Sequence, residues 1–142
     1  VRLSDTTRLI REFLGPGGCH YVFADRDAAL WIGTRRNGLL HLDPRTGAVD
    51  SLFPEKTQVN WIAQDAAGRI WFTTRSGVVA LDPHTRRIRR FGHDPARPDT
   101  SLPPGEGFGV HVRADGSVLV GFTNEIARLD PATGQVRRIP LT

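Results

Sequence analysis

The residues best suited to chemistry in this chain are arginines, a few histidines and a tryptophan, set in short gaps between apolar runs. Arg35 and Arg36 share one gap and Arg75 lies in another, with His20, Asn60 and Trp61 at the ends of neighbouring gaps. A guanidinium offers forked N–H donors that match a carboxylate or sulfate, and an indole offers an apolar platform for a ring. Together these types would bind a small anionic or carbohydrate-like ligand; alone, each is also an ordinary solvated turn residue. A longer gap, 92–107, carries His93, Asp94, Arg97, Asp99 and Glu106 among four prolines, and His111 follows it. Long loops with fixed ends are more often functional than short ones. The expected chemistry is binding. No nucleophile–base pair stands out, and Gly15-Pro16-Gly17-Gly18 lacks the Lys-Ser/Thr of a phosphate loop. His41, His84 and His111 share no metal-ligand spacing. The single cysteine, Cys19, excludes an internal disulfide and a cysteine-based metal site, so no cofactor is expected.

The gaps are positioned by a repeat. Leu42-Asp43-Pro44-Arg45-Thr46-Gly47 returns as Leu81-Asp82-Pro83-His84-Thr85-Arg86 and as Leu129-Asp130-Pro131-Ala132-Thr133-Gly134, at steps of 39 and 48 residues. Leu3-Ser4-Asp5-Thr6-Thr7-Arg8 is a worn copy, 39 residues upstream of the first. Self-similarity at this period marks stacked supersecondary units. Each copy holds four short runs rich in Val, Ile, Phe and Trp, which read as strands. They fall at 21–24, 30–34, 39–42 and 49–53; at 59–64, 69–74, 78–81 and 87–91; and at 108–113, 118–122, 126–129 and 136–139. Asp-Pro suits a type I turn, and the Gly that closes it takes a positive φ. Arg86 in that Gly place should strain its turn or change its type. Ala67-Gly68 and Asp115-Gly116 make the turn between the first two strands, which Asp27-Ala28-Ala29 makes without Gly.

Four antiparallel strands per repeat of about 40 residues predict an all-β chain of β-propeller blades. The expected divisions are an outer strand pair of a preceding blade at 1–13, blades at 20–53, 59–91 and 108–140, and a long inter-blade loop at 92–107. Adjacent apolar residues such as Ile70-Trp71-Phe72 suit strands covered on both faces, and the matching places of Trp31 and Trp71 speak for packing. Three blades fall short of the four that closure needs. The chain is therefore expected to be part of a larger propeller, with a ring closed by several copies as the alternative. Its partners would be neighbouring blades or other copies of the chain. In such folds the links between blades share a face with the turns between second and third strands, where ligands usually bind. That face would gather 15–20, 54–58, 92–107 and the Arg35-Arg36, Arg75 and Thr123-Asn124 turns. His111 would lie near the central channel, as a ligand contact or as a hydrogen-bonded core histidine.

A net charge of +4, with Lys56 the one lysine among 19 basic residues, gives no continuous basic stripe, so nucleic acid is not an expected partner. Arg86-Arg87-Ile88-Arg89-Arg90 and Arg137-Arg138 fall on or beside outer strands, where charge guards a sheet edge. No apolar run approaches a membrane span, so no membrane contact is expected within this segment. The sequence has no Met, and Val1 is expected to be a cut point.

The copies resemble the two-component-regulator propeller repeat. The likeness rests on Leu30-Trp31-Ile32-Gly33-Thr34 with Gly38-Leu39, and on Asp65-Ala66-Ala67-Gly68-Arg69-Ile70-Trp71-Phe72-Thr73-Thr74 with Gly77-Val78. The third copy departs from it: Leu119 replaces the Trp, and Asn124-Glu125 the Gly turn. The resemblance implies a non-catalytic segment of the ligand-sensing region of a bacterial receptor, coupled to a histidine kinase or diguanylate cyclase. The location it implies is periplasmic. A protein-interaction scaffold is the alternative. The repeat is also similar to that of streptogramin lyases, which use a His and a Glu. His111 and Glu125 are the matching types, but they stand in the wrong register, which leaves an enzyme as the third reading.

Overall fold

The computed structural model describes residues 17–53 and 55–141; the expected strand pair at 1–13 lies outside them. Every regular element among the described residues is a strand, and the strands form three four-stranded antiparallel sheets. The first runs β1 (Cys19–Ala24), β2 (Leu30–Thr34), β3 (Leu39–Leu42) and β4 (Val49–Phe53). The second runs β5 (Trp61–Gln64), β6 (Ile70–Thr74), β7 (Gly77–Leu81) and β8 (Ile88–Phe91). The third runs β9 (Val110–Val112), β10 (Val118–Gly121), β11 (Glu125–Leu129) and β12 (Val136–Pro140). In each sheet the spatial order is the sequence order. The chain divides into two compact units, Val1–Asn60 and Trp61–Thr142.

The repeated hexapeptide is a self-contained turn. In all three copies its last residue returns an N–H to the carbonyl of its Asp: Gly47 to Asp43 at 2.7 Å, Arg86 to Asp82 at 2.7 Å, Gly134 to Asp130 at 2.8 Å. The Asp carboxylate accepts the N–H two residues on, from Arg45, His84 and Ala132. The Thr hydroxyl oxygen accepts the N–H two residues beyond itself, from Ala48, Arg87 and Gln135. Arg86 does not change the turn type. It adopts φ +61°, beside +72° and +74° at Gly47 and Gly134. Strain is thus the cost of the substitution, because a Cβ crowds the backbone in this region. Arg86→Gly should raise the unfolding free energy by about 0.5–1 kcal/mol, read from urea denaturation. A drop in stability instead would assign the exposed Arg86 side chain a role beyond its turn.

Two buried indoles share one tether. Trp31 Nε1 donates to Asp25 Oδ2 at 2.8 Å, and Trp71 Nε1 to Asp65 Oδ2 at 2.9 Å. The other oxygen of each Asp accepts two backbone N–H groups of the intervening turn, at Asp27 and Ala29 and at Ala67 and Arg69. One carboxylate therefore builds the turn and satisfies the indole, which could not be buried with its N–H unpaired. The third copy has lost both partners, with Arg113 in the Asp place and Leu119 in the Trp place. There Asp115 takes over the turn through Ser117 and pairs with Arg128 at 3.0 Å.

Within each unit the link leaving a sheet is stitched to that sheet. Val59 N–H donates to Thr34 O at 2.9 Å, and Gly107 N–H to Thr74 O at 3.0 Å. This explains why β5 begins at Trp61 rather than at Val59: the Val59 donor serves the strand it has just left. The 61–142 unit has its core between the second and third sheets, where Trp71, Val78 and Ala80 meet Val110, Val118, Val120, Ala127 and Leu129. Leu102, from the middle of the long link, is 1% exposed in that core. Arg138 ties the same link down by donating to Pro98 O at 2.6 Å.

Candidate functional site

In the Val1–Asn60 unit, the β2–β3 turn carries Arg35 and Arg36, both exposed. Arg35 N–H donates to Gly18 O at 3.1 Å, which sets the start of β1 beside this turn. His20 is exposed on β1, at an irregularity in the register between Cys19 and Tyr21. Gly17 has φ +95°, and a Cβ there would lie 3.1 Å from Arg35 Cβ, so the lack of a side chain lets the two segments touch. Asn60 departs from the rest of the expected set. It is 6% exposed, and its Oδ1 accepts from Gln58 Nε2 at 2.6 Å, so it shapes the link and is not offered to solvent.

In the Trp61–Thr142 unit, Arg75 is exposed on the β6–β7 turn. Both ends of the long link return to this turn: Gly107 bonds Thr74 O, and a Cβ on Gly92 would lie 3.0 Å from Ser76 O. Half-buried Glu106 therefore stands next to the Arg75 turn in the chain's path. His93 is used inside the link, where its Nδ1 is 2.9 Å from Leu102 O. The His111 side chain is exposed on β9, where its residue pairs with Leu119 of β10. Trp61, 44% exposed, shares with His111 a cleft of about 330 Å³. Gly109, Val110, Leu119, Gly121 and Ile126 complete its apolar walls.

Several arginines have carboxylate partners, the exposed Arg45 with Asp43 at 3.9 Å among them. Arg69, Arg97, Arg128 and Arg138 pair with Asp65, Asp94, Asp115 and Glu125. Arg35, Arg36 and Arg75 pair with no carboxylate among the described residues, as is also true of Arg86, Arg87 and Arg137 on the outer-strand side. Glu125 is committed to Arg138, whose Nε lies 2.8 Å from Oε2 while a second guanidinium nitrogen meets Oε1. The Arg138 hydrogen bonds hold the Glu125 carboxyl below its usual range. Such a group is a poor proton carrier at neutral pH. No group of three or more metal-ligating side chains forms among the described residues. The exposed arginine turns present forked N–H donors to solvent.

The repeat family described as the two-component regulator propeller matches residues 54–76. Among curated proteins, no sequence matches the chain. Among solved structures, the chain is similar to the extracellular domain of a hybrid two-component system, BT4673, of B. thetaiotaomicron. The TM-score is 0.70 at 17% identity over 87% of this chain and 16% of that one. A second such domain from the same organism, BT3049, gives 0.63 at 19% identity over 87% and 15%. Virginiamycin B lyase from Staphylococcus aureus, solved in a catalytically inactive form with quinupristin, gives 0.66 at 15% identity over 87% and 41%. The chain thus spans about a sixth of the two extracellular domains and under half of the lyase. These likenesses agree with the strand order and the hexapeptide turns: the sheets are β-propeller blades, and residues 54–76 match the two-component-regulator propeller repeat.

Proposed function

We propose that this chain is a non-catalytic part of the extracytoplasmic ligand-sensing region of a bacterial signalling receptor. The observation that carries this reading is the two-component-regulator repeat at residues 54–76. The extracellular placement of the similar domains from B. thetaiotaomicron supports it. The recognition elements are the exposed guanidinium groups of Arg35 and Arg36 in one unit and, separately, of Arg75 in the other, each on the turn after the second strand of its sheet and with no carboxylate partner among the described residues. They would take an anionic solute or acidic sugar through charge-assisted hydrogen bonds. The turns are rigidly held by the stitched links, so binding costs little ordering of the backbone. Bound ligand would then bias the packing of blades, which downstream elements read as kinase or cyclase output. The lyase reading is weakened by the commitment of Glu125 to Arg138.

The test is a melting-temperature screen against uronic acids, sulfated sugars and small dicarboxylates, followed by calorimetry. Arg35→Ala and Arg75→Ala should each weaken a hit they contact by about tenfold to a hundredfold, since a charged hydrogen bond contributes roughly 1.5–3 kcal/mol. Unchanged affinity in both variants would remove these arginines from the site. A chain that ignores every solute but retains a protein on a column would be an interaction scaffold.

A further inference from the structure

The link between the second and third sheets is longer than joining them requires. The last two hexapeptides stand 48 residues apart and the first two 39, so this link carries nine residues more than the one after the first sheet. The added stretch is folded on itself. Arg97 N–H donates to Asp94 O at 2.9 Å and Ser101 N–H to Arg97 O at 3.0 Å, while Ser101 Oγ accepts the Asp94 N–H at 2.9 Å. Leu102 roots it in the core, and Arg138 holds it at Pro98 O. A segment tied at so many points is a built feature of the surface, not a slack spacer.

What it encloses is a groove of about 250 Å³, wholly within the 61–142 unit. One wall is the end of β8 with Arg90 and Phe91, a second the link with Arg97, Thr100 and Leu102, and a third the β11–β12 turn at Thr133. The polar part of this lining is rich in donors. Arg97 commits Nε to Asp94 Oδ2 at 3.1 Å, which leaves its two terminal nitrogens to donate from a side chain 70% exposed. The Thr133 oxygen accepts the Gln135 N–H at 3.2 Å, which leaves its O–H to donate. Thr100 adds a hydroxyl, and Arg90 a second guanidinium. The acid of the lining, Asp94, is already engaged: Oδ1 accepts the Ala96 N–H and Oδ2 meets Arg97. The Ala96 N–H and the Arg97 guanidinium hold its carboxyl below the usual range, so the pair persists at neutral pH.

Two guanidinium groups against one carboxylate leave an excess of positive charge and of donors, which suits an anion. The donors come from separate segments. One guanidinium fork is enough for a planar carboxylate, whereas a phosphate or sulfate group offers acceptor oxygens in several directions. Volume sets the scale: drug-sized ligands occupy roughly 300–1,000 Å³, so this groove takes a single such group with a short substituent. We infer that the groove under the long link is a site for a small tetrahedral oxyanion, a phosphate or sulfate group. Arg97, Thr100 and Thr133 donate to it, and Arg90 adds charge. An anion seated there bridges the link to the β11–β12 turn. Neither the Arg35–Arg36 turn nor Arg75 lines the groove, and the inference stands whether or not those turns bind a ligand.

The test titrates inorganic phosphate, sulfate and acetate into the 142-residue chain at an ionic strength fixed with chloride. Amide chemical shifts and calorimetry are the readouts. Phosphate or sulfate should move the amides of Thr100, Ser101 and Gly134 saturably, and the tighter of the two identifies the group. Acetate should bind more weakly than both. Arg97→Gln should weaken the binding about tenfold or more, Thr100→Ala should weaken it further, and Arg75→Ala should leave it unchanged. Any of three results would overturn the inference: no saturable shift above the chloride background, acetate bound as tightly as phosphate and sulfate, or binding lost in Arg75→Ala and kept in Arg97→Gln. Should Arg97→Gln not fold, the shift map of the parent chain decides, since shifts confined to the Arg35–Arg36 or Arg75 turns place the anion elsewhere.

Discussion

Asp65→Ala is expected to destabilise the 61–142 unit by about 3 kcal/mol. The carboxylate of Asp65 is 7% exposed and serves four donors: the Trp71 indole, Arg69 Nε at 2.7 Å, and the backbone N–H groups of Ala67 and Arg69. Removing it leaves the indole N–H without an acceptor in a place that water does not reach, and frees the Arg69 guanidinium that lies 5.7 Å from the Trp71 ring centroid. A denaturation midpoint in urea reads the loss; a change under about 1 kcal/mol would mean that water or a shifted side chain substitutes for the carboxylate. The same site dictates a pH response. Burial pushes the Asp65 carboxyl up, but the Trp71 and Arg69 hydrogen bonds outweigh it and leave the carboxyl below its ordinary value. A carboxyl lowered by folding stabilises the native state above its unfolded pKa of about 3.9, and that contribution fades as pH falls through the folded value. Acid unfolding of Asp65→Asn should be shallower than that of the parent over this window, because the variant has no proton to take up.

Gly38→Ala is expected to cost at least about 3 kcal/mol and to unfold the first sheet before the rest. Gly38 has φ +72°, and a Cβ there would lie 1.9 Å from Phe53 O, inside the carbonyl of the adjoining strand. Its own N–H and carbonyl are both engaged, with Thr57 O at 3.1 Å and Thr34 N at 3.0 Å, so the backbone cannot swing away without losing both. Gly77, 2.3 Å from Phe91 O by the same construction, should respond in the same way. Gly134→Ala separates the two costs. It has φ +74° and nothing within 4 Å of the added carbon, so it should lose only the backbone strain of about 1 kcal/mol. Equal losses at Gly38 and Gly134 would show that φ, not the carbonyl, sets the cost.

The turns of this fold were legible in the sequence because each residue of the hexapeptide acts on its immediate neighbours. Asp, Thr and Gly at fixed offsets predict hydrogen bonds that need no knowledge of the rest of the chain. The strands followed from the apolar runs between those turns, with errors where a link residue gives its N–H to another strand, as at Val59. The Asp–Trp tether was present as a signal, an Asp six residues before Trp31 and before Trp71 and the loss of both types in the third copy. Its meaning needs the geometry of the turn. The anchoring of the long link by Leu102 and Arg138 was not legible, since one leucine among prolines carries no period and Pro98 offers only a carbonyl. Of the candidate site, the exposed arginine turns follow from turn position alone. Asn60 and His93 are drawn inward by partners, Gln58 and Leu102, that their own sequence surroundings do not announce.

The simple strand order has a consequence for how the chain is made. No sheet waits for a residue outside its own stretch, which in the first runs from Cys19 to Phe53. A ribosome releases such a stretch over seconds, whereas hairpins close in about 1–10 μs. Each sheet can therefore finish behind the ribosome while the next is still being synthesised. What must wait is the stitch, Val59 to Thr34 or Gly107 to Thr74, and with it the cover of the newest apolar face. Synthesis thus exposes one such face at a time, and the growing end is the place where a chaperone has something to hold.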